Sequence, residues 1–396
     1  MNNKEVPKGL RDILPPELKK RRYLHSVAER LFSTFGYEEV ETPMFELLDV
    51  VENGTGREMR EQMFIFMDRF GGLLALRPEM TVSIARLAAT HFAAARAPKR
   101  LWYRGNVFRQ VEPQLAKFRE FEQMGIELIG ASGTWADAEV IALAARILQE
   151  LRVEDFRISL NHIGIFNNLV KAQNLRAAEH NRLKQLVEAK DLVELQRLLF
   201  QLPLAEPVRY TLSKLPVLHG GAEILEKIPY LHELEATKQA VEELLAVYEC
   251  LAAYGVQEHV VLDMGVIRGL NYYTGVIFEG YSPRLGYSLM GGGRYDKLMG
   301  QFGEERPATG FALGVDRLGL VVNAPPEPPA GYWLAGDDLA LLLYKADELR
   351  QSGKVVRIDM AARPLAEAQA FFREQGSADQ FIYVSSDDQG GSDENR

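Results

Sequence analysis

On the apolar run Phe118 to Gly130, two polar side chains stand four residues apart, Gln123 and Glu127. In a strand, positions i and i+4 share a face, so both point from one side of a sheet. Arg109 lies on the neighbouring run, across a polar loop. Glu79 and Thr81 stand at the start of a helical segment, and Arg268, Tyr272 and Tyr273 come from a fourth stretch. A solvated sheet face is the ordinary reading of any one of these residues. Their strands are otherwise apolar, however, so a wet face is not the natural choice. A buried carboxylate needs a cation or several donors. Glu79, Glu127, Arg109 and Arg268 could satisfy one another, with Gln123 and the tyrosines completing a pocket. Such a pocket suits a small zwitterion with a polar ring.

Other chemistries find no support. The seven histidines (His25, His91, His162, His180, His219, His232, His259) are scattered and form no HExxH pair, so no metal site is expected. Cys250 is the single cysteine and sits in an apolar helical run, which excludes an internal disulfide and suggests a buried thiol. Gly353-Lys354 is followed by Val355 rather than Ser or Thr, so no phosphate loop is present, and no Gly-x-Ser-x-Gly elbow occurs. No cofactor is expected. The 396 residues are 47% hydrophobic and 26% charged, an ordinary globular balance for two or three domains. The formal charge of −9 argues weakly against a generally basic nucleic-acid binder. Neither a signal peptide nor a run of ~18 uncharged apolar residues is visible, so a soluble cytoplasmic location is expected, with no membrane contact.

The elements that must position these residues follow from periodicity. Residues 16–36 read as a helix stopped by Gly36, and Tyr37 to Pro43 as a strand ended by proline. Met63 to Asp68 and Leu73 to Leu76 flank Arg69-Phe70-Gly71-Gly72, a hairpin signal. Pro78 is expected to open a helix reaching about Phe92, with Glu79 where the dipole favours an acid. Strands are expected at Lys99–Arg109 and Phe118–Gly130, joined by the loop Gln110–Lys117, then a helix over 134–151. Residues 165–254 read as an all-helical insertion. Strand character returns at Val260–Met264, Tyr272–Tyr281 and Tyr287–Met290, and Gly291-Gly292-Gly293-Arg294-Tyr295-Asp296 is expected to end that meander. Gly310 to Leu318 reads as a strand running into a helix. Four prolines within Asn323–Ala330 make a semi-rigid linker. Strand, helix, strand, helix, strand follow, then an acidic tail from Asp387.

At these residues the chain resembles the catalytic domain of histidyl-tRNA synthetase, a class II synthetase, over about residues 5–322. Pro7-Lys8-Gly9-Leu10-Arg11-Asp12-Ile13-Leu14-Pro15 is similar to that family's N-terminal segment. Phe35 to Pro43 is similar to class II motif 1, which builds the family's dimer interface. Phe108-Arg109 and the strand to Gly130 are similar to motif 2, and Gly310 to Leu318, with Arg317, to motif 3. Arg268 to Tyr273 and Gly291 to Asp296 resemble two segments peculiar to the histidine enzymes. The resemblance implies an α+β fold: an antiparallel sheet flanked by helices over 1–322, a helical insertion at about 165–256, a linker at 323–330 and a small C-terminal α/β domain at 331–396. It also implies a histidine site of Glu79, Thr81, Arg109, Gln123, Glu127, Arg268, Tyr272 and Tyr273. Arg109 and Arg317 fall on the arginines that clamp ATP phosphates, a task suited to a guanidinium fork.

The departures shape the functional expectation. Where the family has Phe-Arg-x-Glu followed by arginine, this chain has Phe108-Arg109-Gln110-Val111-Glu112. Val111 cannot accept a hydrogen bond from adenine, and Glu112 puts a negative charge where triphosphate or tRNA would approach. Asn271 replaces an aspartate, and Met80 puts bulk where the family has glycine. From Glu327 to Arg396, seven cations stand against 13 acids, a balance of −6, which makes a poor tRNA arm. The whole resembles the synthetase paralogue of histidine biosynthesis, the regulatory subunit of ATP phosphoribosyltransferase, with the nucleotide site of Arg109 and Arg317 vestigial. That resemblance implies a non-catalytic subunit, a self-dimer, a short-form catalytic subunit as partner in a hetero-octamer, histidine as effector and no tRNA. An active synthetase with a reduced C-terminal domain is the alternative. A histidine sensor with an unrelated partner is a third reading.

Overall fold

The computed structural model describes residues 4–113, 117–267, 272–323 and 330–386. Arg268 and Asn271, most of the Pro-rich linker and the acidic tail from Asp387 lie outside the described residues. The chain forms two compact units, Met1–Ala324 and Pro325–Arg396.

The first unit is built on a nine-stranded sheet. Its centre is antiparallel, in the spatial order Lys99–Phe108, Glu120–Ile129, Ala308–Gly314, Leu285–Arg294, Val276–Ser282 and Arg157–His162. Parallel pairs extend both ends. Glu38–Glu39 adds to Lys99–Phe108, and Val260–Asp263 adds to Arg157–His162. The expected antiparallel sheet is therefore present, with parallel margins.

The helices cover it as their apolar periodicity requires. Pro15–Thr34 buries Leu24, Val27, Ala28 and Phe32, positions separated by three, one and four. Thr134–Glu150 is apolar around most of its circumference, and it is buried correspondingly deeply. Helices from Ile163–Lys171 to Glu235–Ala253 form the insertion.

Four local expectations change. The Tyr37–Pro43 strand shrinks to Glu38–Glu39. The Pro78 helix begins at Thr81, because Glu79 caps it from outside instead of joining its first turn. The insertion is not all helical: His219–Gly220 pairs with Val260–Asp263 and closes that margin of the sheet. The triple glycine does not end the meander, since the strand continues through it to Arg294. Glycine permits this because neighbouring backbone comes very close; a Cβ on Gly292 would stand 2.1 Å from the Gly310 carbonyl.

A smaller three-stranded sheet, absent from the sequence reading in part, stands beside the main one. Phe45–Leu47 and Ile65–Met67 flank Leu73–Leu76, all antiparallel. The second unit is a parallel sheet in the order Val356–Ile358, Tyr332–Gly336, Gln380–Val384, with helices Leu339–Gln351 and Leu365–Glu374 as crossovers.

Candidate functional site

Seven of the eight residues singled out for the pocket line one cavity: Glu79, Thr81, Arg109, Gln123, Glu127, Tyr272 and Tyr273. The eighth, Arg268, lies outside the described residues. Gln123 and Glu127 share a face of Glu120–Ile129, and their cross-strand partners are Gly314 and Gly310. The floor is glycine for a steric reason. A Cβ on Gly310 would stand 1.9 Å from Glu127 Oε2 and 2.3 Å from the Ile126 carbonyl.

Glu79 is 4% exposed. It accepts from the Thr81 and Val82 amides at 2.9 and 2.7 Å, the free donors of the helix that begins there. Tyr272 Oη donates to it weakly at 3.5 Å. Burial pushes its carboxyl above the usual range, against the pull of those amides and of the Arg109 charge.

Glu127 is 1% exposed and takes one strong bond, from Tyr295 Oη to Oε2 at 2.5 Å. Burial, helped by the Glu79 charge and opposed by the nearby hydroxyls, brings its pKa up to about 8. Thr81 and Tyr103 lie close enough to act on it electrostatically, yet Glu127 Oε1, Gln123 Oε1 and Tyr103 Oη complete no hydrogen bond. Buried polar atoms without partners are expensive. These three offer two acceptors and a hydroxyl to a ligand that carries donors and a polar ring.

Helix amides and Tyr272 hold Glu79, Tyr295 holds Glu127, and the Arg109 charge also bears on Glu79. Arg109 uses Nε on the Pro78 carbonyl at 2.8 Å and stacks over Phe121. Met80, expected to crowd the pocket, is instead 1% exposed in the core behind it, among Leu101, Tyr103 and Tyr295. Tyr295, at the cavity, and Tyr103, behind it, are not singled out by the sequence: Tyr295 falls inside a longer motif, and Tyr103 carries no local signal, being one aromatic in an apolar strand.

Arg109, Gln123 and Gly291 also border a second, outer chamber of about 490 Å³, against about 40 Å³ of free space in the inner pocket. The outer chamber has room for a nucleotide-sized ligand. Arg317 lines it, donating to the Ser288 carbonyl at 2.8 Å and lying over Tyr287. Val111 and Glu112 line it as well. Val111 offers only backbone, and its own carbonyl is taken by Arg119 Nε at 3.2 Å. Glu112 is held at the surface by Lys8 at 3.4 Å. Among the described residues, no group of three His, Cys, Asp or Glu could hold a metal ion.

The family model for histidyl-tRNA synthetase matches residues 9–318. An ATP phosphoribosyltransferase regulatory subunit from Moorella thermoacetica is 42% identical over 368 residues, 92% of this chain and 95% of the relative. The chain belongs to the ATP phosphoribosyltransferase regulatory subunits, within the histidyl-tRNA synthetase family. A solved structure from Bacillus halodurans C, described as an ATP phosphoribosyltransferase regulatory subunit/histidyl-tRNA synthetase, superposes with a TM-score of 0.85. It is 32% identical and covers 97% of this chain and 99% of that one. The synthetase side of the family is also near: a histidine–tRNA ligase from Methanococcus maripaludis is 35% identical over 94% of this chain and 90% of the relative.

Proposed function

We propose that the inner pocket is a histidine receptor and that its occupancy regulates a short-form catalytic subunit of ATP phosphoribosyltransferase. This chain is the non-catalytic, regulatory component of that enzyme, which opens histidine biosynthesis. One observation carries the proposal. Glu79, Thr81, Gln123, Glu127, Tyr272 and Tyr273 converge on one pocket whose buried acceptors want an ammonium and a ring N–H, while the adjoining chamber has Val111 at the adenine-reading position. Histidine binding costs nothing in chemistry here, so its effect is on assembly: an inhibitor must prefer the inhibited arrangement, by ~1–3 kcal/mol for a typical effector. The partner arrangement is a hetero-octamer of self-dimers, and tRNA is not a ligand, because the C-terminal residues are net acidic. Arg268 belongs to the same receptor by its place in the sequence.

The test is direct. The chain is titrated with histidine by calorimetry, then mixed with a short-form catalytic subunit and assayed with and without histidine. Activation on mixing and histidine-dependent inhibition are expected. Absence of both complex and activation removes the reading.

A second reading, an active synthetase, is favoured by one feature: Arg109 and Arg317 both still line the outer chamber. Histidine-dependent exchange of pyrophosphate into ATP would establish it.

A further inference from the structure

Asn161 is a buried polar side chain that the pocket does not use. It is 1% exposed, on the strand Arg157–His162. Glu127, Gly310, Gly293, Ile277 and Asn161 are successive partners across the main sheet, so Asn161 stands on the face that carries Glu127. Both ends of its amide are engaged. Oδ1 accepts from the His162 amide at 2.7 Å, and Nδ2 donates to the Met264 carbonyl at 3.3 Å and the Val266 carbonyl at 2.9 Å. Among its described residues, the stretch 264–275 forms no strand or helix. Its buried carbonyls therefore need donors from elsewhere, and Asn161 supplies two.

The same corner of the chain grips the other end of that stretch. His162 pairs with Val276, and the Ile163 amide donates to the Gly275 carbonyl at 3.0 Å. Asn161, His162 and Ile163 thus hold the chain both where it leaves the sheet and where it returns. The returning end carries two pocket tyrosines. The Tyr272 ring lies 5.8 Å from that of Tyr295, with its hydroxyl 3.5 Å from Glu79. Tyr273 packs on Gly293, where a Cβ would stand 2.9 Å from its ring. The departing end has a second fastening, from the insertion. Lys190 Nζ meets Asp263 at 3.1 Å, and Asp263 accepts from the Gly265 amide at 3.0 Å. The Leu218 carbonyl accepts from the Met264 amide at 3.0 Å.

We propose that Asn161 and Lys190 are positioning residues of the histidine pocket. By fixing where 264–267 leaves the sheet, they set where Tyr272 and Tyr273 stand against Glu79 and Glu127. The inference rests on the histidine-receptor reading above and adds to it two residues outside the pocket lining. Chemistry dictates the residue type at 161. One short primary amide offers two donors to two carbonyls and an acceptor to an N–H. An aspartate of the same shape would set an oxygen against both carbonyls. Lys190 is half-exposed, so its ion pair contributes less than the buried amide. It nevertheless puts the insertion in contact with the foot of the tyrosine-bearing stretch.

Two measurements on the full chain test this together: calorimetry with histidine, and hydrogen exchange without it. Asn161→Asp is expected to weaken histidine binding at least about tenfold. Lys190→Met is expected to weaken it about fivefold, and Lys190→Arg to keep wild-type affinity. In the unliganded Asn161→Asp and Lys190→Met chains, amides of 264–267 and 272–275 are expected to exchange faster than in wild type, while those of Glu120–Ile129 keep their rates. The two Lys190 variants decide the matter should Asn161→Asp fail to fold. Folded Asn161→Asp and Lys190→Met chains with wild-type affinity overturn the proposal, and so does Lys190→Arg binding as poorly as Lys190→Met. A wild-type chain that takes up no histidine removes the receptor reading instead. Exchange then decides: faster exchange confined to the two ends of the stretch upholds the positioning role, and unchanged rates overturn it.

Discussion

Glu127 concentrates the electrostatic cost of the pocket in one carboxyl. Its folded pKa of about 8 lies above the unfolded value of about 4.3, so its neutral form is the one the fold prefers. The associated stability is complete below pH 4 and is lost as pH rises toward 8. Glu127→Gln is therefore expected to leave the melting temperature unchanged at pH 4 and to raise it at pH 8, by a few kcal/mol of stability. Equal effects at the two pH values would contradict this account. Histidine binding runs the other way: an incoming ammonium favours the ionised carboxylate, so binding at pH 7 releases close to one proton. Calorimetric heats that vary with the ionisation enthalpy of the buffer would record it, and Glu127→Gln is expected to abolish both the release and most of the affinity. Gly310 is the steric counterpart. Gly310→Ala drives a methyl into the Glu127 carboxylate and is expected to weaken histidine binding at least tenfold. Unchanged affinity by calorimetry would show that the pocket floor moves freely.

At the scale of elements, ion pairs tie the N-terminal region to the strands that carry the site. Asp316, 8% exposed, accepts from Arg11 at 2.8 Å, from Arg21 and from the Glu122 amide at 2.8 Å. It thereby joins the helix Pro15–Thr34 to the strand bearing Gln123 and Glu127. Breaking a buried pair leaves its partners uncompensated, so Asp316→Ala is expected to cost about 3 kcal/mol in urea unfolding. A loss below about 1 kcal/mol would mean that water replaces the carboxylate. The elements themselves were largely legible. Apolar runs mark the strands on either side of Gln110–Lys117, and that polar loop marks the hairpin. The start of the Thr81 helix was not legible, because whether an acid caps a helix or joins it depends on backbone angles that composition does not encode. Nor was the strand through Gly291–Gly293, since three glycines signal a turn until a neighbouring backbone is known to pass beside them.

For the whole molecule, the two compact units carry an expectation of their own. A chain ending at Asn323 is expected to bind histidine within about twofold of the full-length protein, since every described pocket residue precedes that point. A large loss would place part of the receptor's support in the second unit.

From residue types and their order alone, the family and the four segments that contribute to the pocket follow, because each is a local pattern. Packing decided the rest. Tyr295 meets Glu127 across 168 positions of chain, Tyr103 loses its partners, and Met80 turns away into the core. Such outcomes depend on which strands become neighbours and how much water they exclude. Those are properties of the assembled sheet and belong to no single segment.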